Sequence, residues 1–269
     1  MGLLLAHSLN ATRPYVQWSR AAPRLNEKSA RSHTLTAVTR LIFVRHGESN
    51  TTVARRIGGF RTCSGLSALG REQSERLRDR WLANPEFIAD VVIASQFPRA
   101  GETAAIVAAA LGGLPVEIVE GFGEHDPGEE CDGLSFVDFV ERYGERDWEN
   151  DPYTIGFPGG ETLAAFHLRV GQSISETVHR YEGKTIVIFS HGGVIDAALR
   201  QALKAPLNGA FDVWTLNTSI TEFQLVRPGR WKVHRYNDHA HLAGLDPETP
   251  RDPEAAGEAE AAEERVSAP

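Results

Sequence analysis

Cysteine is scarce: the 269 residues contain two, Cys63 and Cys131. They lie too far apart to form a CxxC or any other metal-ligand spacing, so neither a zinc module nor a dense disulfide framework is available, and two isolated thiols suit a reducing compartment. Long apolar runs are missing too. No stretch approaches the roughly 20 residues that a membrane-spanning helix needs, which points to a cytoplasmic protein with no membrane partner. Positive charge is outweighed, with 28 Lys and Arg against 36 Asp and Glu and a formal net charge of -8. Neither end carries the clustered basic and aromatic pattern of a nucleic-acid surface, so no nucleic acid is expected.

What remains is the composition of an ordinary globular protein, long enough for one sizeable α/β domain. Both ends depart from it. The first forty residues hold Arg13, Arg20, Arg24, Lys28, Arg31 and Arg40 against a single acid, Glu27. Residues 1–39 read as a disordered basic leader or a transit segment. Residues 244–269, built from Asp246 onward of Glu, Ala, Pro and Asp, read as a disordered acidic tail. The domain proper is expected over 40–243.

Within it, short β-branched runs alternate with longer segments of helical period, the pattern of strands joined by crossover helices. Strands are expected at Leu41 to Val44, Val91 to Ser95, Val116 to Val119 and Thr185 to Ser190. Ile220 to Val226 and Trp231 to Tyr236 flank Arg227-Pro228-Gly229-Arg230 and should form a hairpin. Helices are expected from Ala68 to Trp81 behind the cap Ser67, Arg99 to Leu111, Phe136 to Tyr143, Thr162 to Tyr181 and Val194 to Leu203. The fold class is therefore α/β, a three-layer sandwich whose mostly parallel sheet has about six strands.

The first strand ends in Arg45-His46-Gly47-Glu48-Ser49, and the fourth runs into Ser190-His191-Gly192-Gly193. A third segment, Ser95-Gln96-Phe97-Pro98-Arg99, also follows a strand. Open α/β sheets bind ligands beyond the carboxyl ends of their strands, so two histidines and two arginines stand in the expected place. Guanidinium forks match phosphate oxygens bidentately, and helix N-termini favour anions. Positive neighbours also keep a histidine neutral and nucleophilic. Taken alone, Arg99 reads better as pairing with a helix carboxylate. The loop after the third strand, Gly121-Phe122-Gly123-Glu124-His125-Asp126, offers an acid for a leaving oxygen: Glu124 first, Asp126 as runner-up. His125, His239 and His241 fit no zinc spacing and read as surface or loop residues, so no metal and no cofactor is expected. Gly159-Gly160-Glu161-Thr162 is explained as a helix start.

These motifs, with Arg56-Ile57-Gly58-Gly59, Ser64-Gly65-Leu66-Ser67 and Asn237-Asp238-His239-Ala240-His241-Leu242 in the same order, resemble the histidine phosphatase superfamily, the phosphoglycerate mutase-like family, from about Arg40 to Leu242. The resemblance implies a metal-independent phosphomonoester hydrolase acting on a small-molecule phosphate ester. In it, His46 would attack phosphorus and Glu124 would serve as general acid and then base. Arg45, Arg99 and His191 would hold the phosphoryl oxygens, with Gly58 and Asn50 completing the substrate site.

Three departures stand out. Thr52 occupies the position where many members carry a phosphate-binding Asn, with Asn50 two residues earlier. Relative to the bisphosphatases that share Arg-Ile-Gly-Gly and Ser-Gly-Leu-Ser, there are extra residues between the two, Phe60 to Cys63. The Gly128 to Gly133 loop is one residue longer than usual. The long insertions of the mutases are missing after Glu124, which favours hydrolysis; a mutase-type phosphotransferase and a non-catalytic phosphate-binding relative are the alternatives.

Overall fold

Leu41, Ile42, Phe43 and Val44 are each at most 1% exposed. A run buried on both faces belongs in the middle of a covered sheet, and that is where it lies. The computed structural model describes residues 38–145, 151–207 and 213–245. All but the inner two residues of the leader and of the acidic tail fall outside the described residues. Strand β1 (Thr39–Arg45) pairs in parallel with β4 (Thr185–Ser190) and antiparallel with β5 (Ile220–Arg227). Beyond β4 come β2 (Val91–Ala94) and β3 (Val116–Ile118), both parallel; beyond β5 comes β6 (Arg230–Asp238), antiparallel. The six-stranded order is β3-β2-β4-β1-β5-β6, so the sheet is mixed, with its parallel half carrying the motifs.

Alternation along the strands divides the core into two layers. Leu41, Phe43, Ile186 and Ile188 face α6 (Leu163–Arg180) and α7 (Gly192–Leu203), meeting Phe166, Val170 and Ile195. Ile42, Val44, Val187 and Phe189 face the other way, onto Leu77 and Trp81 of α2 (Ala68–Ala83) and Ala104 and Val107 of α3 (Pro98–Val107). Phe43 anchors the first layer through edge-to-face contacts with Phe122 at 6.0 Å and Phe223 at 5.7 Å, a geometry that adds to the area it buries.

The helix starts follow their caps. Ser67 Oγ accepts from Gly70 N at 3.0 Å and Thr162 Oγ1 from Ala165 N at 3.0 Å, each satisfying an amide that the first turn leaves open. Helix α3 is shorter than its sequence pattern: after Val107 the Ala-rich stretch tightens into a 3-10 turn, Ala108–Leu111, that ends on left-handed Gly112, a common way for a helix to finish. Two single-turn helices not expected from sequence, α1 (Asn50–Val53) and α4 (Gly128–Cys131), sit in the loops after β1 and β3, and α5 (Phe136–Tyr143) has the expected bounds. Both cysteines are buried, and neither forms a disulfide. Among the described residues no helix is long and apolar enough to cross a membrane.

Candidate active site

Parallel pairing sets Arg45 opposite Ser190, so the two histidine motifs leave adjacent strands at the same level. His46 N donates to Ser190 O at 2.9 Å, and the His46 and His191 rings meet edge to face at 5.1 Å. The neighbouring pairing of Ala94 with Phe189 delivers Ser95 and Arg99 to the same edge. Three loops distant in sequence are thus gathered by strand order alone. Gly47 permits the closeness of α2, since a Cβ there would lie 2.3 Å from the Gly70 carbonyl oxygen.

His46 is 5% exposed. Its Nδ1 lies 2.6 Å from the Gly47 carbonyl oxygen, which can only accept, so the proton resides on Nδ1 and Nε2 keeps its lone pair. Arg99 Nε donates to that Nε2 at 3.1 Å. Burial, then the charge of Arg99, then that of Arg45, hold the ring well below the ordinary histidine range, against the pull of the Gly47 carbonyl. His191 is depressed in the same way by burial, Arg99, His46 and Arg45. Its Nε2 is 2.7 Å from Ser95 Oγ, while Phe97 N donates to that oxygen. A hydroxyl that donates to Nε2 leaves the proton of His191 on Nδ1, the ring nitrogen without a hydrogen-bond partner.

Around the two histidines, Arg45 Nε, Arg99 Nη1 and His191 Nδ1 are buried with no hydrogen-bond partner. Buried polar atoms are rarely orphaned, and a set of donors around a nucleophilic nitrogen suits a tetrahedral oxyanion. Each guanidinium is tethered through another of its nitrogens. Arg45 Nη1 donates to the Thr215 carbonyl, and Arg99 Nη2 to the Gly58 carbonyl at 3.2 Å. The Arg99 guanidinium also rests over the Phe97 ring at 4.5 Å, in cation–π range. Glu102, the helix carboxylate nearest Arg99 in sequence, is bound instead by Arg71 and by Leu66 N.

Glu124 reaches the start of α7. Its Oε2 accepts from Gly193 N at 3.1 Å and its Oε1 from His125 N at 3.0 Å. A Cβ at position 193 would stand 2.4 Å from Oε1, so glycine is needed for this approach. Asp126 is exposed and its Oδ1 accepts from Gly128 N at 2.9 Å, turned into its own loop. Asn50 is exposed as well, and its amide donates to Ser64 at 3.3 Å. Thr52 Oγ1 bonds Ser49 Oγ at 2.9 Å.

Sequence reasoning missed several supports. Asn217 Nδ2 donates to the His46 carbonyl at 2.9 Å, fixing the loop that carries the histidine. Arg169 of α6 grips the Glu124 loop, donating to the carbonyls of Gly121 and Gly123 at 3.1 Å and of Glu124 at 3.3 Å. Its ion-pair partner Glu161 accepts from Asp126 N at 2.9 Å. Glu161 is not a first-turn acid, since it precedes the cap Thr162 of α6, and only its place in Gly-Gly-Glu-Thr hinted at a role. His125, in its loop, and His241 are both half-buried. His125 packs between Phe157 and Phe166, and His241 Nε2 lies 2.9 Å from Thr218 Oγ1. His239 is exposed.

The buried histidines couple stability to pH. Burial foremost lowers His167 to about 4, with Arg200 and His125 adding to it, and His241 to about 4, with Arg80 adding and Asp238 opposing; His46 and His191 are also depressed. In the unfolded chain these groups take up protons near pH 6.5, whereas the folded chain resists until about pH 4. The unfolded state therefore binds more protons in that window, and stability falls as pH drops through it. The Tm is expected to be level between pH 8 and 7 and to fall steadily from pH 6.5 to 5; a Tm that rises on acidification would show that the histidines are charged in the fold.

The model of the family described as histidine phosphatase superfamily (branch 1) matches residues 41–239. Phosphoglycerate mutase-like protein 4 of Arabidopsis thaliana is 29% identical over 205 residues, 75% of this chain and 86% of that protein. A bifunctional protein of Mycobacterium tuberculosis is 36% identical over 206 residues, 76% of this chain; the chain spans 55% of that relative's length. Among solved structures, the alpha-ribazole phosphatase of Shigella flexneri is similar with a TM-score of 0.65 at 25% identity, covering 75% of this chain and 97% of that one. With its motifs assembled at the strand ends as described, the chain belongs to the histidine phosphatase superfamily, branch 1.

Proposed function

We propose that this chain hydrolyses small phosphomonoesters through a phosphohistidine on Nε2 of His46, with Glu124 as the acid and base. The observation that carries the proposal is the convergence on that one nitrogen. An unprotonated, buried Nε2 faces the unpartnered donors of Arg45, Arg99 and His191, and a carboxylate is held nearby at the α7 N-terminus.

The chemistry follows from these positions. Nε2 attacks phosphorus, forming the P–N bond as the bond to the ester oxygen breaks, and Glu124 transfers its proton to that oxygen. The three donors neutralise charge on the equatorial oxygens, where preorganised hydrogen bonds act most strongly. Water then attacks the phosphohistidine while Glu124 takes its proton; the P–N bond breaks, phosphate leaves, and the lone pair returns to Nε2. Gly58 contributes by holding Arg99 through its carbonyl. Asn50 stands further out, where a substrate displacing its weak contact to Ser64 would engage the amide. The mechanism asks for no metal and no cofactor. Two cysteines in no disulfide accord with a cytoplasmic location.

Hydrolysis is favoured over mutase activity because the long insertions of the mutases are missing after Glu124. Phosphate release from a panel of phosphomonoesters in EDTA tests this: free phosphate is expected at undiminished rate. Transfer to an acceptor without free phosphate would indicate a mutase, and loss of activity in EDTA would indicate a metal enzyme.

A further inference from the structure

The segment Phe60 to Cys63 and the Gly128 to Gly133 loop are bound to each other. Asp132 is the link. Its Oδ1 accepts from Gly59 N at 2.9 Å and from Thr62 Oγ1, and its Oδ2 from Arg61 N at 2.8 Å and Thr62 N at 3.3 Å. One carboxylate thus holds both ends of the turn that carries Phe60. A Cβ at Gly59 would lie 2.4 Å from the Asp132 carboxyl carbon, so glycine is what lets the carboxylate in. An outer ion pair, Arg61 with Glu129 at 3.3 Å, joins the same two loops but is exposed and contributes little.

The turn is fastened to the phosphoryl site at two points. Two residues before Phe60, the Gly58 carbonyl accepts from Arg99. The Phe60 ring itself stands edge-on to Phe97 at 5.6 Å, and Phe97 in turn touches the His191 ring at 4.7 Å and underlies the Arg99 guanidinium. Phe97 is 3% exposed, whereas Phe60 is 50% exposed. A large apolar ring left half in water, one ring away from both His191 and Arg99, is positioned to be covered by something bound beside the phosphoryl group. The covering partner is itself apolar, since a charged or heavily hydroxylated leaving group would lose hydration against the ring with no donor in return.

We infer that Phe60 is a specificity-determining residue and Asp132 its positioning residue, and that together they select phosphomonoesters whose leaving group carries an apolar or aromatic ring close to the ester oxygen. The inference rests on the hydrolase reading above and deepens it. The carboxylate never touches substrate; it sets where the ring stands.

The test compares benzyl phosphate with ethyl phosphate. Their leaving alcohols have similar acidity, so the ratio of kcat/KM reports contact with the ring rather than leaving-group chemistry. The wild-type enzyme is expected to favour benzyl phosphate by roughly tenfold, mainly through KM, which is the scale of one aromatic contact with its buried area. F60A and D132A should each bring the ratio to within about twofold of one, while F60Y, which retains the ring, should preserve it. A variant that merely loosened the fold would slow both esters together and leave the ratio alone. The inference is overturned if the wild-type ratio is near one or if F60A keeps the preference. Turnover of ethyl phosphate without preference for benzyl phosphate would overturn it while leaving the hydrolase reading intact; release of phosphate from neither ester would remove both.

Discussion

His46→Ala lowers phosphate release by a factor on the order of 10^4 to 10^6, the range found when a covalent nucleophile is removed from an otherwise intact site. No second nitrogen can take over. The Nε2 of His191 is occupied by the Ser95 hydroxyl, and its Nδ1 bears the proton that a phosphoryl oxygen would accept. The loss should fall on kcat with all esters alike, because the P–N bond is common to every substrate. Labelling supplies the second readout: substrate labelled in its phosphoryl group leaves an acid-labile, base-stable phosphoprotein on the wild-type chain and none on the variant. A variant that turned over at near-normal rate, or still trapped label, would place the nucleophile elsewhere.

Glu124→Gln has a different signature, because it removes a proton and leaves the shape. With alkyl phosphates the leaving alkoxide must be protonated, and the rate is expected to fall roughly 10^2- to 10^4-fold, the usual contribution of a general acid. With p-nitrophenyl phosphate the departing phenolate needs no proton, so phosphorylation proceeds while hydrolysis of the intermediate, which uses Glu124 as base, becomes slow. A burst of p-nitrophenol followed by a slow steady state is the result to look for. An equal loss with both kinds of ester and no burst would point to Asp126 or to a fold defect. Asp126→Asn should cost far less, since that carboxylate is spent on the Gly128 amide.

Much of this machinery is legible in the sequence because the information is local. The run Leu41 to Val44 is apolar at every position and ends in Arg-His-Gly, which identifies a central strand with chemistry at its carboxyl end. Thr185 to Ser190 repeats that grammar, and Ser67 and Thr162 mark helix starts with side chains suited to cap them. The hairpin about Pro228 and Gly229 is written in the same local terms.

Other features depend on partners far along the chain and leave no local mark. Arg99 illustrates the limit. Its sequence context allowed a helix ion pair, and it took the packing of α2 and α3, which gives Glu102 to Arg71 and Leu66 N, to leave the guanidinium for His46 and Gly58. Glu161 looked complete as part of a helix start, yet its carboxylate serves a loop 35 residues earlier in the chain. The helices α1 and α4 are single turns with no period to detect, held by loop contacts such as the bridge between Ser49 and Leu66. Asn50 belongs to the same class: its residue type suited a phosphate contact, but the local turn leaves it at the surface.

By itself, then, the sequence determined the α/β class, the strands, the order of the motifs and the residue types that phosphohistidine chemistry requires, because each depends on neighbours a few positions away. Only the tertiary structure decided that Arg99 reaches His46, that Glu124 rather than Asp126 reaches the Gly193 amide, and that Asp132 ties two loops together beneath Phe60. Those outcomes depend on contacts between segments separated by dozens of residues, and strand pairing, not local propensity, brings such segments together.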